Sequence, residues 1–350
     1  MTQNTFQTLI VVSPEVVGHA QEYGVADQWN IKTREHPSER FRFGSDGKTV
    51  TEFTSREHVD PVPENDRRGH ELLLCARSHQ LANEVLSLIR GGTLLANPDF
   101  SKVSKPFGPI ETEESKLQEV GEALADEYIC YSKNVLFGLG LAQRASDDEE
   151  LVYATEKWKF SLSLDSFTPQ SAHPRHGQKF RNQYQQRRHQ VHAAMAIVSA
   201  YSVIEELGLE IRASAEKPRF IKGEWNEEVI ADVKQRLRDE GIEPDSEIEW
   251  LQRGPEKPLD DELKHPALDE EPSEWREYTE VSDLQMRIIE AIQRSAYLRN
   301  RVASHKLART ENLAQYLGPY EVYNVQSVAR HLLLRRSELL DQRSQLERAE

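Results

Sequence analysis

From Glu113 to the C-terminus, apolar residues recur at intervals of three and four, and this period commits most of the chain to helix. Ser115 to Leu141 places Leu117, Val120, Leu124, Tyr128 and Ile129 on one side. Glu149 to Phe160 is a shorter segment of the same kind. Three stronger helices follow. Phe180 to Ile211 carries Val191, Ala194, Met195, Val198, Tyr201 and Leu207 in a sustained pattern. Ser282 to about Leu307 opens with a serine cap before Asp283 and carries Leu284, Ile288, Ile289, Ile292 and Ala296. Asn324 to about Leu346 carries Val325, Leu332, Leu339 and Leu346 at seven-residue spacing, with Val328 at one intermediate position. Arg335 and Gln342 occupy the later intermediate positions, so a full coiled coil is not supported. Packing within a bundle and packing on a partner helix both remain open for this stripe.

The first hundred residues read differently. Thr8 to Val12 is a short β-branched run that stops at Ser13-Pro14, and Lys48 to Phe53 alternates like a strand after the Ser45-Asp46-Gly47 turn. Glu71 to Ala76 fits a strand or a helix start. His79 to Ile89 has helical spacing at Leu81, Val85, Leu88 and Ile89, and Gly91-Gly92 is expected to end it. Glu57 to Gly69, Asn97 to Pro109 and Thr168 to Gly177 read as loops.

At 350 residues the chain has room for two or three domains. Its 27 aromatic residues are too many for a disordered acidic chain. Its two cysteines, Cys75 and Cys130, exclude a disulfide scaffold and an all-cysteine zinc site. No apolar run approaches the roughly 18 residues of a membrane span, and no basic-then-apolar leader follows Met1. The expectation is a cytoplasmic protein without a membrane partner.

The net charge of −15 argues against nucleic acid only until its location is considered. Residues 224–280 hold 20 acidic and 7 basic side chains, a net of −13. Residues 171–223 carry +5 and residues 281–350 carry +3. The acidity is local, and the flanking segments allow a phosphate-binding surface. The acidic stretch contains a helix, Glu227 to Asp239, and then prolines at 255, 258, 266 and 272. It reads as an insertion with a solvated tail. A solubilising loop and a competitor for RNA phosphate are both open to it.

The sharpest local feature is Arg299-Asn300-Arg301-Val302-Ala303-Ser304-His305. A fixed cation, an amide and an imidazole together suit phosphodiester cleavage. Arginine holds the phosphate and the charge that grows on it, histidine moves a proton, and asparagine orients either one. No metal is needed when the 2′-hydroxyl of RNA is the nucleophile. On an α-helix Arg299 and His305 lie about 120° apart round the axis, whereas Arg301 and His305 share a face. Either Arg301 works with His305, or a second copy of the helix completes the site. An ordinary basic helix C-terminus is the alternative reading.

Other constellations are weaker. His173 with His176, and His189 with His192, lack third and fourth ligands, so no metal and no cofactor are expected. Arg187 and Arg188, with Lys179, Arg181, Phe180 and Tyr184, form either a solvated helix face or an RNA contact. P-loop and G-x-S-x-G motifs are absent from the sequence.

Arg299-Asn300 followed by His305 resembles the R-x4-6-H motif of HEPN domains, in which asparagine often follows the arginine. The resemblance covers roughly residues 115–345: a long helix, here with Glu205 and Glu206, precedes the motif, one helix carries it and one follows. It implies a mainly α fold, a HEPN-like helical bundle with an acidic insertion, preceded by a small α+β N-terminal domain. The implied boundaries are 1–110 for that domain, 111–223 for the first part of the bundle, 224–280 for the insertion and 281–350 for the part with the motif. The implied activity is a metal-independent endoribonuclease of a toxin–antitoxin or phage-defence system. Arg299, Asn300 and His305 would be catalytic, with Arg301, Lys306, Arg187 and Arg188 on the substrate. RNA, a second copy in a homodimer, and an antitoxin or regulatory protein are the implied partners. The common pattern often has a small residue after the histidine, where this chain has Lys306. A catalytically silent relative that binds a protein or nucleotide is the alternative.

Overall fold

The computed structural model describes residues 4–45, 50–55, 66–97, 114–164, 187–222, 224–253, 281–303 and 319–347. Helix predominates, and the chain divides into two compact units, Met1–Asp148 and Glu149–Glu350.

The first unit is built on an antiparallel sheet. Its strands are β1 (Asn4–Val12), β2 (Gly24–Val25), β3 (Trp29–Phe43), β4 (Val50–Ser55) and β5 (Asp66–Ala76). The order is β1-β5-β3-β2, with β4 paired to the far end of β3. β5 is central because Leu72, Leu74, Cys75 and Ala76 are all buried. Its first residues, Asp66 to Gly69, were expected in a loop; pairing with Arg40–Arg42 of β3 draws them into the sheet. β3 gives no clear strand signal in sequence. Between Ile31 and Phe41 it is polar and contains Pro37, and its pairing to β5 shifts register between Glu35 and Arg40. Tertiary pairing, not local alternation, makes it a strand.

Three helices cover this sheet. α1 (Pro14–Ala20) begins at Ser13, whose N–H donates to the Ser132 hydroxyl at 2.8 Å. α2 (His79–Ala96) begins at Ser78, whose hydroxyl accepts from the Leu81 N–H. Gly91-Gly92 does not end α2, contrary to expectation. Those glycines let α2 touch α3 (Glu114–Arg144): a Cβ on Gly92 would stand 2.6 Å from the Gly138 Cα. A Cβ on Gly138 would stand 2.3 Å from the Ile89 carbonyl oxygen. Such packing places α3 in the first unit, so that unit closes at Asp148 rather than near residue 110.

The second unit packs α4 (Glu149–Leu164), α5 (Arg187–Glu206), α6 (Glu227–Asp239), α7 (Ile288–Tyr297) and α8 (Pro319–Glu347). Two antiparallel strand pairs accompany them: β6 (Phe220–Ile221) with β7 (Glu224–Trp225), and β8 (Glu247–Arg253) with β9 (Val281–Arg287). α5 contributes Ala193, Ala196, Ile197, Ala200, Tyr201 and Ile204 to one core with Ile288, Ile289, Ile292 and Ala296 of α7. Val322, Val325, Val328 and Leu332 of α8 join it. Thus the first half of the seven-residue stripe is buried inside its own unit; the side chains of Leu339 and Leu346 lie outside the described residues.

The first half of the acidic stretch belongs to this core. Val229, Val233 and Leu237 of α6, with Ile248 and Trp250 of β8, are buried in it. Residues 254–280 lie outside the described residues. Ser282 does not cap a helix. Residues 281–287 form β9, in which Leu284 and Met286 point inward while Gln285 and Arg287 face solvent, a two-residue period that overrides the helical reading. β8 is held on its other side by Asn324 of α8, whose amide oxygen accepts from the Leu251 N–H and whose NH2 donates to the Leu251 carbonyl, both at 2.8 Å.

Candidate anion site at Arg299

Two structural breaks bring the site together. α5 stops at Glu206 rather than at Ile211. Gly208 takes the left-handed conformation at φ +69°, and the Leu209 N–H reaches back to the Ile204 carbonyl at 2.9 Å. Glu205 and Glu206 therefore occupy the last turn of α5. The chain beyond is pinned by Arg236 of α6, which donates to the carbonyls of Gly208 and Glu210 and pairs with Asp232.

The second break follows α7. The helix expected to run to Leu307 is α-helical only to Tyr297, and Leu298 to Ala303 winds as a π-helix. Hydrogen bonds from i to i+5 widen the turn, so α-helical angles do not hold within Leu298–Ala303. Asn300 sits at the change of winding. Its NH2 donates to the Ala296 carbonyl at 2.7 Å, and its Oδ1 accepts from Arg299 Nη1 at 2.8 Å. Both bonds together set the amide orientation.

Arg299 then spans from α7 to α5. Its Nη2 lies 3.2 Å from Glu205 Oε1, and its Cζ stands 5.9 Å from the centre of the Tyr201 ring. Tyr201 and Glu205 are four residues apart on α5, so one helix face supplies both. The Arg299 and Glu205 side chains are 33% and 37% exposed, while Tyr201 is buried. The guanidinium is thus a rim group on an aromatic floor. Its Nε is buried and has no hydrogen-bond partner. Burial raises the Tyr201 phenol to about 12, and the nearby Glu205 and Glu210 carboxylates push the same way against the Ile211 backbone hydrogen bond and Arg219. At neutral pH Tyr201 keeps its proton and cannot serve as a base. Glu206 is engaged elsewhere, with Lys157 of α4.

Of the residues singled out in sequence, the structure brings Arg299 and Asn300 into direct contact. Arg301 lies in the π-helix and Arg187 and Arg188 in the first turn of α5, but their side chains are outside the described residues. His305 and Lys306 are outside them as well, as are His173, His176 and the His189 side chain. Among the described residues no three His, Cys, Asp or Glu side chains group as metal ligands. No helix there is long and apolar enough to cross a membrane. Tyr201 had shown in sequence only as a core position. Its four-residue spacing from Glu205 was the available sign that it could underlie an Arg–Glu pair.

Arg299 is a partly exposed cation held in one orientation, with Nη1 on Asn300 and Nη2 facing Glu205. Comparisons with family models, with curated proteins and with solved structures find no match for this chain.

Proposed function

We propose that the second unit is a HEPN-type, metal-independent endoribonuclease of a toxin or phage-defence system. The observation that carries this reading is the coupling of the motif's own residues: Asn300 holds Arg299 at a π-helical turn, half-exposed, over Tyr201. In the proposed reaction Arg299 binds the scissile phosphate. His305 carries the proton of the ribose 2′-hydroxyl to the leaving 5′-oxygen, as the 2′-oxygen attacks phosphorus and the bond from phosphorus to the 5′-oxygen breaks. The products are a 2′,3′-cyclic phosphate and a 5′-hydroxyl. Asn300 keeps the guanidinium aimed, and Arg301, Lys306, Arg187 and Arg188 would meet neighbouring phosphates.

A homodimer and a cytoplasmic location belong to the same proposal, as does an antitoxin or regulatory protein. The dimer no longer draws support from Val325 and Leu332, which are spent on the unit's own core.

Cleavage of an RNA panel in the presence of a chelator tests the activity. The wild type is expected to leave 2′,3′-cyclic phosphate ends, and Arg299→Ala and His305→Ala to leave none. Full cleavage by the His305 variant would end this mechanism.

One observation favours a second reading, a silent HEPN-like module that binds a protein or nucleotide. Arg299 already carries two partners, Glu205 and Asn300. A folded wild type that binds RNA but cuts nothing on the panel would select it.

A further inference from the structure

Glu205 faces the proposed phosphate cation from the end of a rigid helix. Among the described residues it pairs with Arg299 and with no other cation. Several nearby charges have other partners: Lys157 pairs with Glu206, Arg212 with Glu210, and Arg236 with Glu210 and Asp232. Glu205 is therefore assigned to Arg299 by position.

The form of the contact matters. An arginine presents five N–H donors in a flat fork, and a carboxylate bound for stability takes two of them in parallel. Here one pair of atoms meets, Nη2 with Oε1 at 3.2 Å, while Nη1 is used by Asn300 and Nε has no partner. Both side chains reach solvent, so water and salt screen the attraction. Arg299 is also held without Glu205, by Asn300 on one side and the Tyr201 ring beneath. The pair can open while the arginine stays where it is.

We propose that Glu205 is a built-in competitor for the anion site, an acidic side chain that an RNA phosphate must displace from Arg299. This inference rests on the reading of Arg299 as a phosphate-binding residue. It has a consequence that simple phosphate binding lacks. An arginine that neutralises an RNA phosphate releases cations condensed on the strand, and that release makes binding weaken with salt. In this protein the displaced Glu205 carboxylate stays beside the bound phosphate and restores the negative charge that Arg299 cancels, so the condensed cation is retained. Arg299 therefore adds affinity without adding its share of salt dependence, and weak anions are kept off the site.

The test is a binding titration with a short RNA that carries 2′-O-methyl groups throughout and cannot be cut. Wild type, Glu205→Gln, Arg299→Ala and the double variant are compared at several salt concentrations, with thermal melts as the check on folding. Glu205→Ala serves as a second variant should the glutamine rebuild the contact with Arg299. The expected result is that Glu205→Gln binds about five-fold tighter at low salt. Its plot of log affinity against log salt should also be steeper by about 0.7, one phosphate contact on a single strand. The gain must vanish in the double variant. Equal affinity and slope in wild type and both Glu205 variants, while Arg299→Ala loses binding, overturns the competitor and leaves the phosphate site standing. A gain from Glu205→Gln that persists without Arg299 overturns it too. If Arg299→Ala binds like wild type, the phosphate site and its competitor fall together.

Discussion

The two units solve the same packing problem in different ways. In the first, α2 and α3 meet through Gly92 and Gly138, so close that an added Cβ on Gly138 would lie 2.3 Å from backbone. In the second, α4 and α5 lie alongside α8 with side chains between them. Ser199 of α5 donates to the Lys157 carbonyl at 2.8 Å, and the Trp158 indole donates to the Gln326 carbonyl at 3.0 Å. Arg299 and Glu205 of the second unit stand partly in water over the buried Tyr201. The large exposed apolar residues tell the same story. Among the described residues Tyr153, Phe160, Val191, Met195 and Ile221 are exposed, and all five lie in the second unit. Among the described residues, the second unit presents these apolar side chains to solvent.

The sharpest way to break this contrast is at the site. Arg299→Ala is expected to take RNA cleavage below detection, a loss of at least about 10²–10³-fold, with an unchanged melting temperature. A similar loss from a surface substitution in the first unit, such as Arg42→Ala, would show that the division of labour is wrong.

Next in size is the glycine contact. Gly138→Ala forces backbone apart and should cost the first unit about 3 kcal/mol. Hydrogen exchange read by mass spectrometry should show α2 and α3 losing protection while α5 and α7 keep theirs. Equal loss in both units would mean that they unfold as one.

The counterpart in the second unit is Asn324→Ala. It strips two buried hydrogen bonds from Leu251 and should cost about 2 kcal/mol. Here the exchange pattern should reverse, with β8 and α8 exposed and the sheet of the first unit unchanged.

Alkaline pH gives the smallest and most local effect. The folded Tyr201 phenol titrates near 12 and an unfolded tyrosine near 10, so the folded state holds its proton longer. That contribution is complete below about pH 10 and is lost as pH rises toward 12, by on the order of 2 kcal/mol. Tyr131 of the first unit is also raised, chiefly by burial. Tyr201→Phe should flatten only the second unit's alkaline decline. A steep decline that persists in its α5 would assign the effect to another group.

Much of the helical content was legible because burial on one face writes a period into the sequence. α3, α4 and α8 lie close to their expected places for that reason. β3 and β9 were not legible. The polar middle of β3 becomes a strand through its partner β5, and the two-residue period of β9 overlaps the start of a helical one at Leu284 and Ile288. α2 ran past its glycines because a neighbouring helix needed the space that a missing Cβ leaves. The candidate site was half legible. Arg299 and Asn300 stood out as a pair, while their fixing by a π-turn depends on winding that no residue pattern announced.

Sequence by itself determined that the chain is mainly helical, that its acidity is concentrated in residues 224–280, and that Arg299-Asn300 is its most chemically specific pair. These are properties of composition and order, which survive any arrangement in space. Tertiary structure alone decided that α3 belongs with the sheet, that half of the acidic stretch is core, and that Glu205 meets Arg299 across 94 positions of chain. The last of these arises because Gly208 ends α5 at one end of the core and the π-turn opens α7 beside it. Only packing of the two helices brings opposite charges together there. Spacing along the chain carries no record of it.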